Sequence, residues 1–153
     1  MRAARGGRAV ARVVEAAILL ALPILLHFLF PVMILVQKPY TYLGLGLMLV
    51  GLGLANWTAV TFRRVGTGFR LRGESSALAT SGPFRIGRNP MYLGMLIWLV
   101  GLAVLLGSLI AFLFPILLFL AANFLMIPME EKSMEQKFGE QYTEYKRHVR
   151  RWV

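Results

Sequence analysis

Three stretches without a charged side chain organise this sequence: Ala16–Gln37, Pro39–Phe62 and residues 89–129. A helix rising 1.5 Å per residue needs roughly 20 apolar residues to cross ~30 Å of hydrocarbon. The first two stretches, of 22 and 24 residues, each fit one crossing. The third holds about forty residues, too many for one crossing, and Gly107-Ser108 interrupt it, with Pro115 further on. This predicts a helical hairpin, Tyr92–Leu106 going out and Leu109–Ile127 coming back, the short outward arm tilted or partly immersed. One long kinked helix is the alternative. The expected fold is therefore all-α and integral to the membrane, a single domain with four transmembrane helices at about residues 13–36, 40–62, 91–106 and 109–128. A cleaved signal peptide is not expected. The first apolar run exceeds the roughly 7–15 residues of such a segment, and no small-x-small cleavage site follows it.

The polar remainder falls into an N-terminal arm, a loop at 63–90 rich in Gly and Ser, and a segment at 130–153. In the last, Met134, Phe138, Tyr142, Tyr145 and Val149 recur at three and four, with Lys132, Glu135, Lys137, Glu140 and Glu144 opposite. That spacing predicts an amphipathic helix, on the headgroups or folded over the bundle. Composition agrees with immersion. The chain is 58% hydrophobic and 16% charged, whereas soluble domains run near ~45–50% and ~25%.

Charge gives the topology. The net charge is +10, and all 17 Lys and Arg except Lys38 lie in the arm, the central loop or the last segment. With four crossings these three pieces share one face, which the positive-inside rule makes cytoplasmic. The expectation is a multi-pass protein of a prokaryotic plasma membrane with both termini cytoplasmic. One-sided basicity then calls for anionic headgroups rather than nucleic acid. With no Cys, disulfides, Cys-ligated zinc and thiol nucleophiles are excluded, and no metal site is expected.

Ionisable residues are nearly absent from the spans. Glu15 can pair with Arg12. His27, between Pro23 and Pro31, reads better as a neutral imidazole on a carbonyl freed by Pro31 than as a functional group. Asn56 and Asn123 read as interhelical glue, and Gly44, Gly46, Gly51 and Gly53 as helix-packing positions. The polar chemistry gathers at Ser81–Gly94 and at Met129-Glu130-Glu131, which a hairpin returns to one face. Pro90 suits the first turn of a helix. Arg88 and the free N–H groups beside it would receive an anion, with the paired carboxylates opposite. An interfacial Arg–Glu salt bridge pinning the hairpin explains the same residues equally well.

Arg88-Asn89-Pro90-Met91-Tyr92-Leu93-Gly94, an apolar stretch of about 35 residues, then Glu130-Glu131, resembles the isoprenylcysteine carboxyl methyltransferase and phospholipid N-methyltransferase superfamily. Gly82-Pro83-Phe84-Arg85 before it and Phe138-Gly139, Tyr142 and Tyr145 after it extend the resemblance over residues 81–152. It implies S-adenosylmethionine (SAM) as methyl donor in a cytosolic pocket, and a membrane-embedded or lipophilic acceptor entering from the bilayer. The resemblance places Arg88, Asn89, Pro90, Tyr92, Gly94, Glu130, Glu131, Tyr142 and Tyr145 at the donor, and Arg88, Glu131 and Arg151 in catalysis. Carboxylates suit the donor's ammonium or ribose hydroxyls. An Arg fork suits its carboxylate, and Tyr rings suit adenine or the sulfonium.

Two departures matter. Asn89 stands where the family often has a titratable His, and His148 and Arg150 replace the usual Arg and Pro near the end, leaving Arg147, Arg151 or His148 to substitute. The acceptor, carboxylate or amine, stays open, as does oligomeric state. An NADPH-dependent membrane reductase of related architecture and a non-catalytic membrane scaffold are the competing readings.

Overall fold

The computed structural model describes residues 21–30, 33–66 and 77–153. The basic N-terminal arm, Glu15, the start of the first expected span and most of the Gly- and Ser-rich loop lie outside them. Among the described residues the structure is all-helical, without a strand. Helix α1 covers 21–29, α2 Leu43–Arg64, α3 Pro90–Leu106 and α4 Leu109–Ala121. A π turn at Ala122–Met126 leads without a break into α5, Ile127–Phe138, and α6 is Glu140–His148.

The hairpin forms where the sequence places it. Gly107 ends α3 in the left-handed region, at φ 71°, and its N–H donates to Ala103 O at 2.9 Å. Glycine takes that conformation without the strain a Cβ would bring. Ser108 is extended and α4 begins at Leu109, so the chain reverses and the single kinked helix is ruled out.

Two helical runs, Tyr40–Arg64 and Leu109–Phe138, are long and apolar enough to cross a membrane, and α3 is a shorter apolar helix. Their outer faces are undressed. Leu43, Leu45, Leu49, Val50 and Leu52 on α2, and Leu113, Ile116, Leu117, Leu120, Phe124 and Leu125 on the α4 run, all stand exposed. So much contiguous apolar surface suits lipid rather than water, and the chain reads as a membrane protein.

The interior is a close α2–α3 seam. Gly44 and Gly51 on α2 face Gly101 and Gly94 on α3, each seven residues apart. A Cβ built on Gly51 would lie 2.6 Å from Gly94 O, and one on Gly101 would lie 2.7 Å from Gly44 O. The other glycine pair of α2, Gly46 and Gly53, meets nothing within 4 Å and faces outward. Four glycines in one helix thus divide by heptad register into a buried seam and an open side.

Two boundaries differ from expectation. The first span, expected to reach 36, is helical only to residue 29. Pro31 lacks the N–H that would continue the helix. From residue 33 the chain runs against the hairpin tip, with Leu35 N–H donating to Gly107 O at 2.7 Å and Leu109 N–H donating to Met33 O at 2.8 Å. The segment at 130–153 is not one amphipathic helix either. Gly139, at φ 51° and ψ −122°, separates α5 from α6, and from Val149 onward the chain is an extended strap.

Candidate active site

The pocket forms where the α3 N-terminus, the 77–88 segment, α5 and α6 converge. Pro90 opens α3 and Asn89 takes the cap position, but its side chain makes no cap bond. Asn89 Nδ2 donates instead to Arg151 O at 2.9 Å, and Arg88 N–H donates to Arg150 O at 2.9 Å. The strap is thereby laid across residues 87–89. Gly87 lies so close under the Trp152 carbonyl that no Cβ would fit between them.

Glu131 is the electrostatic centre. Arg88 Nη2 lies 3.1 Å from Glu131 Oε1, with both side chains only 8% exposed. Arg151 Nη2 donates to Glu131 Oε2 at 2.9 Å, and Lys146 Nζ lies 3.8 Å from the same oxygen. The salt bridge that competed with a binding site in the sequence therefore exists. It does not exhaust Arg88, whose Nε and Nη1 are buried without a hydrogen-bond partner among the described residues. Buried polar groups in folded proteins are nearly always paired, and leaving guanidinium N–H groups dry and unmatched costs free energy. Each of these N–H groups can donate to an oxygen of an anionic group such as a carboxylate or phosphate.

Arg88, Asn89, Glu130, Glu131, Tyr142 and Tyr145 line this pocket, joined by Phe62, Leu78, Phe84 and Met134 as an apolar wall and by Ala77 and Ala79. The Tyr142 and Tyr145 rings lie 6.1 Å apart, and Phe62 packs edge-on against Phe84 at 5.0 Å. Tyr145 Oη donates to Phe84 O at 2.7 Å, tying α6 to the turn at Gly82–Arg85. Burial, with Glu131 nearby, pushes the Tyr142 phenol up to about 12. Burial and the neighbouring Tyr142 push Tyr145 up as well. Both remain neutral phenols at physiological pH, able to donate a hydrogen bond and unable to serve as phenolate bases.

Three residues expected at the donor do not line this pocket. Gly94 is in the α2 seam, against Gly51 O and Ala55. Pro90 shapes the helix start and is absent from the pocket wall. Tyr92 is buried with Ala122 and Ile127 rather than lining the pocket, and its Oη donates to Glu130 Oε1 at 2.7 Å. The pocket is reached by Arg88 and Asn89, which precede α3, and by none of the residues of α3 itself. Arg151 also stays outside the wall and reaches the site through Glu131. The apolar wall escaped the sequence reading: Phe62 ends an apolar run and Met134 sits in an amphipathic pattern, so both resemble ordinary core.

The sequence pattern of the phospholipid methyltransferase family matches residues 39–141. The chain belongs to that family, as the motifs at Arg88–Gly94 and Glu130-Glu131 led one to expect. It is similar to the protein-S-isoprenylcysteine O-methyltransferase B of Arabidopsis thaliana, 43% identical over 81 residues, covering 51% of this chain and 40% of that protein. A probable protein-S-isoprenylcysteine O-methyltransferase of Oryza sativa subsp. indica is 35% identical over 114 residues, covering 71% of this chain and 58% of that one. An uncharacterized protein of Haemophilus influenzae is 41% identical over 63 residues, 41% of this chain and the whole of the other. No solved structure matches the chain. It spans about half the length of the plant relatives it matches.

Proposed function

We propose that the protein is a SAM-dependent methyltransferase acting on a membrane-embedded or lipophilic acceptor that presents a carboxylate or an amine. The observation that carries this reading is the pair of unmatched N–H groups on buried Arg88, beside two carboxylates and two tyrosine rings in one pocket. Family membership supplies the reaction class.

Bound SAM would supply a methyl group on a sulfonium that becomes neutral as the methyl leaves. Arg88 offers its Nε and Nη1 to the donor's carboxylate, while Glu131 holds the guanidinium in place through Nη2. Glu130 offers acceptor oxygens to the donor's ammonium or ribose hydroxyls and is itself oriented by Tyr92. Tyr142 and Tyr145 give π faces to the adenine or to the sulfonium. Asn89 cannot titrate and serves by holding the strap. Phe62, Leu78, Phe84 and Met134 keep water from the transfer and form the side on which an apolar acceptor is at home. Alignment and exclusion of water are most of what an in-line methyl transfer asks of a protein. We further propose the four-crossing topology, with the pocket on the cytoplasmic face of a prokaryotic plasma membrane.

Titrating SAM into the detergent-solubilised protein by calorimetry tests the reading. Arg88→Lys keeps the charge but loses the Nε and Nη1 donors, and should weaken SAM binding at least tenfold. Equal affinity in the two proteins, or consumption of NADPH, overturns the proposal. Labelling membranes with methyl-tritiated SAM then identifies the acceptor.

A further inference from the structure

We infer that Asn123 is a positioning residue for methyl-donor binding, acting through Arg151 by virtue of the π turn at Ala122–Met126. In an uninterrupted α-helix two positions eight apart stand about 80° from each other around the axis. One extra residue accommodated in a wide turn removes roughly one residue's rotation, leaving Asn123 and Glu131 within about 20° of the same side. The structure shows the consequence. Asn123 Oδ1 accepts from Trp152 Nε1 at 3.2 Å and from Arg151 Nη1 at 3.4 Å, while Glu131 Oε2 accepts from Arg151 Nη2 at 2.9 Å. A single guanidinium thus spans an amide and a carboxylate on one face of the helix. Trp152 is seated beside it, tilted against Phe119 at 5.4 Å and packed on the Tyr92 cluster.

This arrangement bears on Arg88. With Arg151 held on Oε2, Glu131 meets Arg88 only through the Nη2–Oε1 ion pair at 3.1 Å, and Arg88 Nε and Nη1, like Glu131 Oε1, have no hydrogen-bond partner among the described residues. With Arg151 released, Glu131 Oε2 keeps only the longer 3.8 Å approach of Lys146 and becomes available to Arg88, whose N–H groups turn from the ligand to Glu131. Asn123 thereby keeps Arg88 available. The inference rests on the reading of the pocket as a SAM site.

Asn123→Leu removes both accepted bonds while keeping the γ-branched shape, whereas Asn123→Asp keeps an acceptor oxygen for both donors. In the SAM titration Asn123→Leu should raise Kd about tenfold and Asn123→Asp should restore it. In turnover, the SAM KM should rise with kcat little changed. In an Arg151→Met background Asn123→Leu should have no further effect on Kd, because the route is already cut. Limited trypsin digestion without SAM should cleave after Arg150 or Arg151 faster in Asn123→Leu than in the unsubstituted protein. If the unsubstituted protein fails to bind SAM, the functional reading falls and this inference with it. If it binds and Asn123→Leu binds equally well, or the two substitutions add, only the inference falls. Failure of Asn123→Asp to restore affinity in a folded protein overturns it as well.

Discussion

Each end of the helix bundle is closed by an extended segment laid across a glycine. At the hairpin tip, residues 33–36 lie on Gly107-Ser108; at the other end, the strap from Val149 onward lies on residues 87–89. In both places a Cβ on the glycine, Gly107 or Gly87, would strike a carbonyl of the covering segment, Val36 or Trp152. The backbone solution is nearly the same, and what each segment carries is not. The tip is covered by Met33, Ile34 and Leu35, all exposed and apolar. The strap brings Arg151 onto a buried carboxylate. Closing a turn requires only that its N–H and C=O groups be satisfied. A site arises where the closing segment also imports charge that the interior cannot neutralise alone.

The strongest way to break this contrast is at Glu131, which faces Arg88, Arg151 and Lys146. Glu131→Gln leaves cations without their counter-charge in a buried place, which costs about 3 kcal/mol or more, and should abolish SAM binding. Thermal melting in detergent and calorimetry read the two effects. A variant that melts and binds like the unsubstituted protein would refute the electrostatic account.

The two glycines sharpen it. Gly87→Ala and Gly107→Ala should each destabilise by about 1–3 kcal/mol through overpacking, the latter with added backbone strain at its positive φ. Only Gly87→Ala, which lifts the strap, should weaken SAM binding in the same titration. Equal losses of affinity would mean that the two closures are not functionally distinct.

The smallest effect concerns pH. Tyr142 holds its proton to about 12 in the folded protein against 10.0 for a free tyrosine. Its folded pKa is raised, so the stability it contributes is complete below pH 10 and is lost as pH rises toward 12. Tyr142→Phe should flatten that part of the decline in melting temperature between those values. Its rate profile near neutral pH should keep its shape, because the phenol does not titrate there.

The hairpin and the charged pocket were legible in the sequence because they rest on local signals. Gly107 after an apolar run is a helix stop, and an Arg–Glu juxtaposition follows from the hairpin's length. The motif also led to the family. It could not say which motif residues touch the pocket, since consecutive positions on α3 point in different directions. Tyr92 and Gly94 belong to the same string of letters as Arg88, yet one packs in the core and the other on α2. The π turn was invisible for a related reason. Ala122–Met126 has unremarkable helical composition, and nothing in it marks the extra residue that the turn accommodates. The strap lay hidden inside an amphipathic pattern that α5 and α6 satisfy separately on either side of Gly139.

The glycine seam has a reach beyond its own contacts. Phe62 near the end of α2 and Arg88 just before α3 both line the pocket, and the two helices are gauged against each other through Gly44–Gly101 and Gly51–Gly94. Those backbone-to-backbone contacts work as a spacer block in a vice. They set the jaw opening from within the apolar half of the protein, away from the residues that line the pocket. A lineage of such proteins could retune the size of molecule it accepts by trading one seam residue for a slightly larger one, without altering any group that touches the ligand.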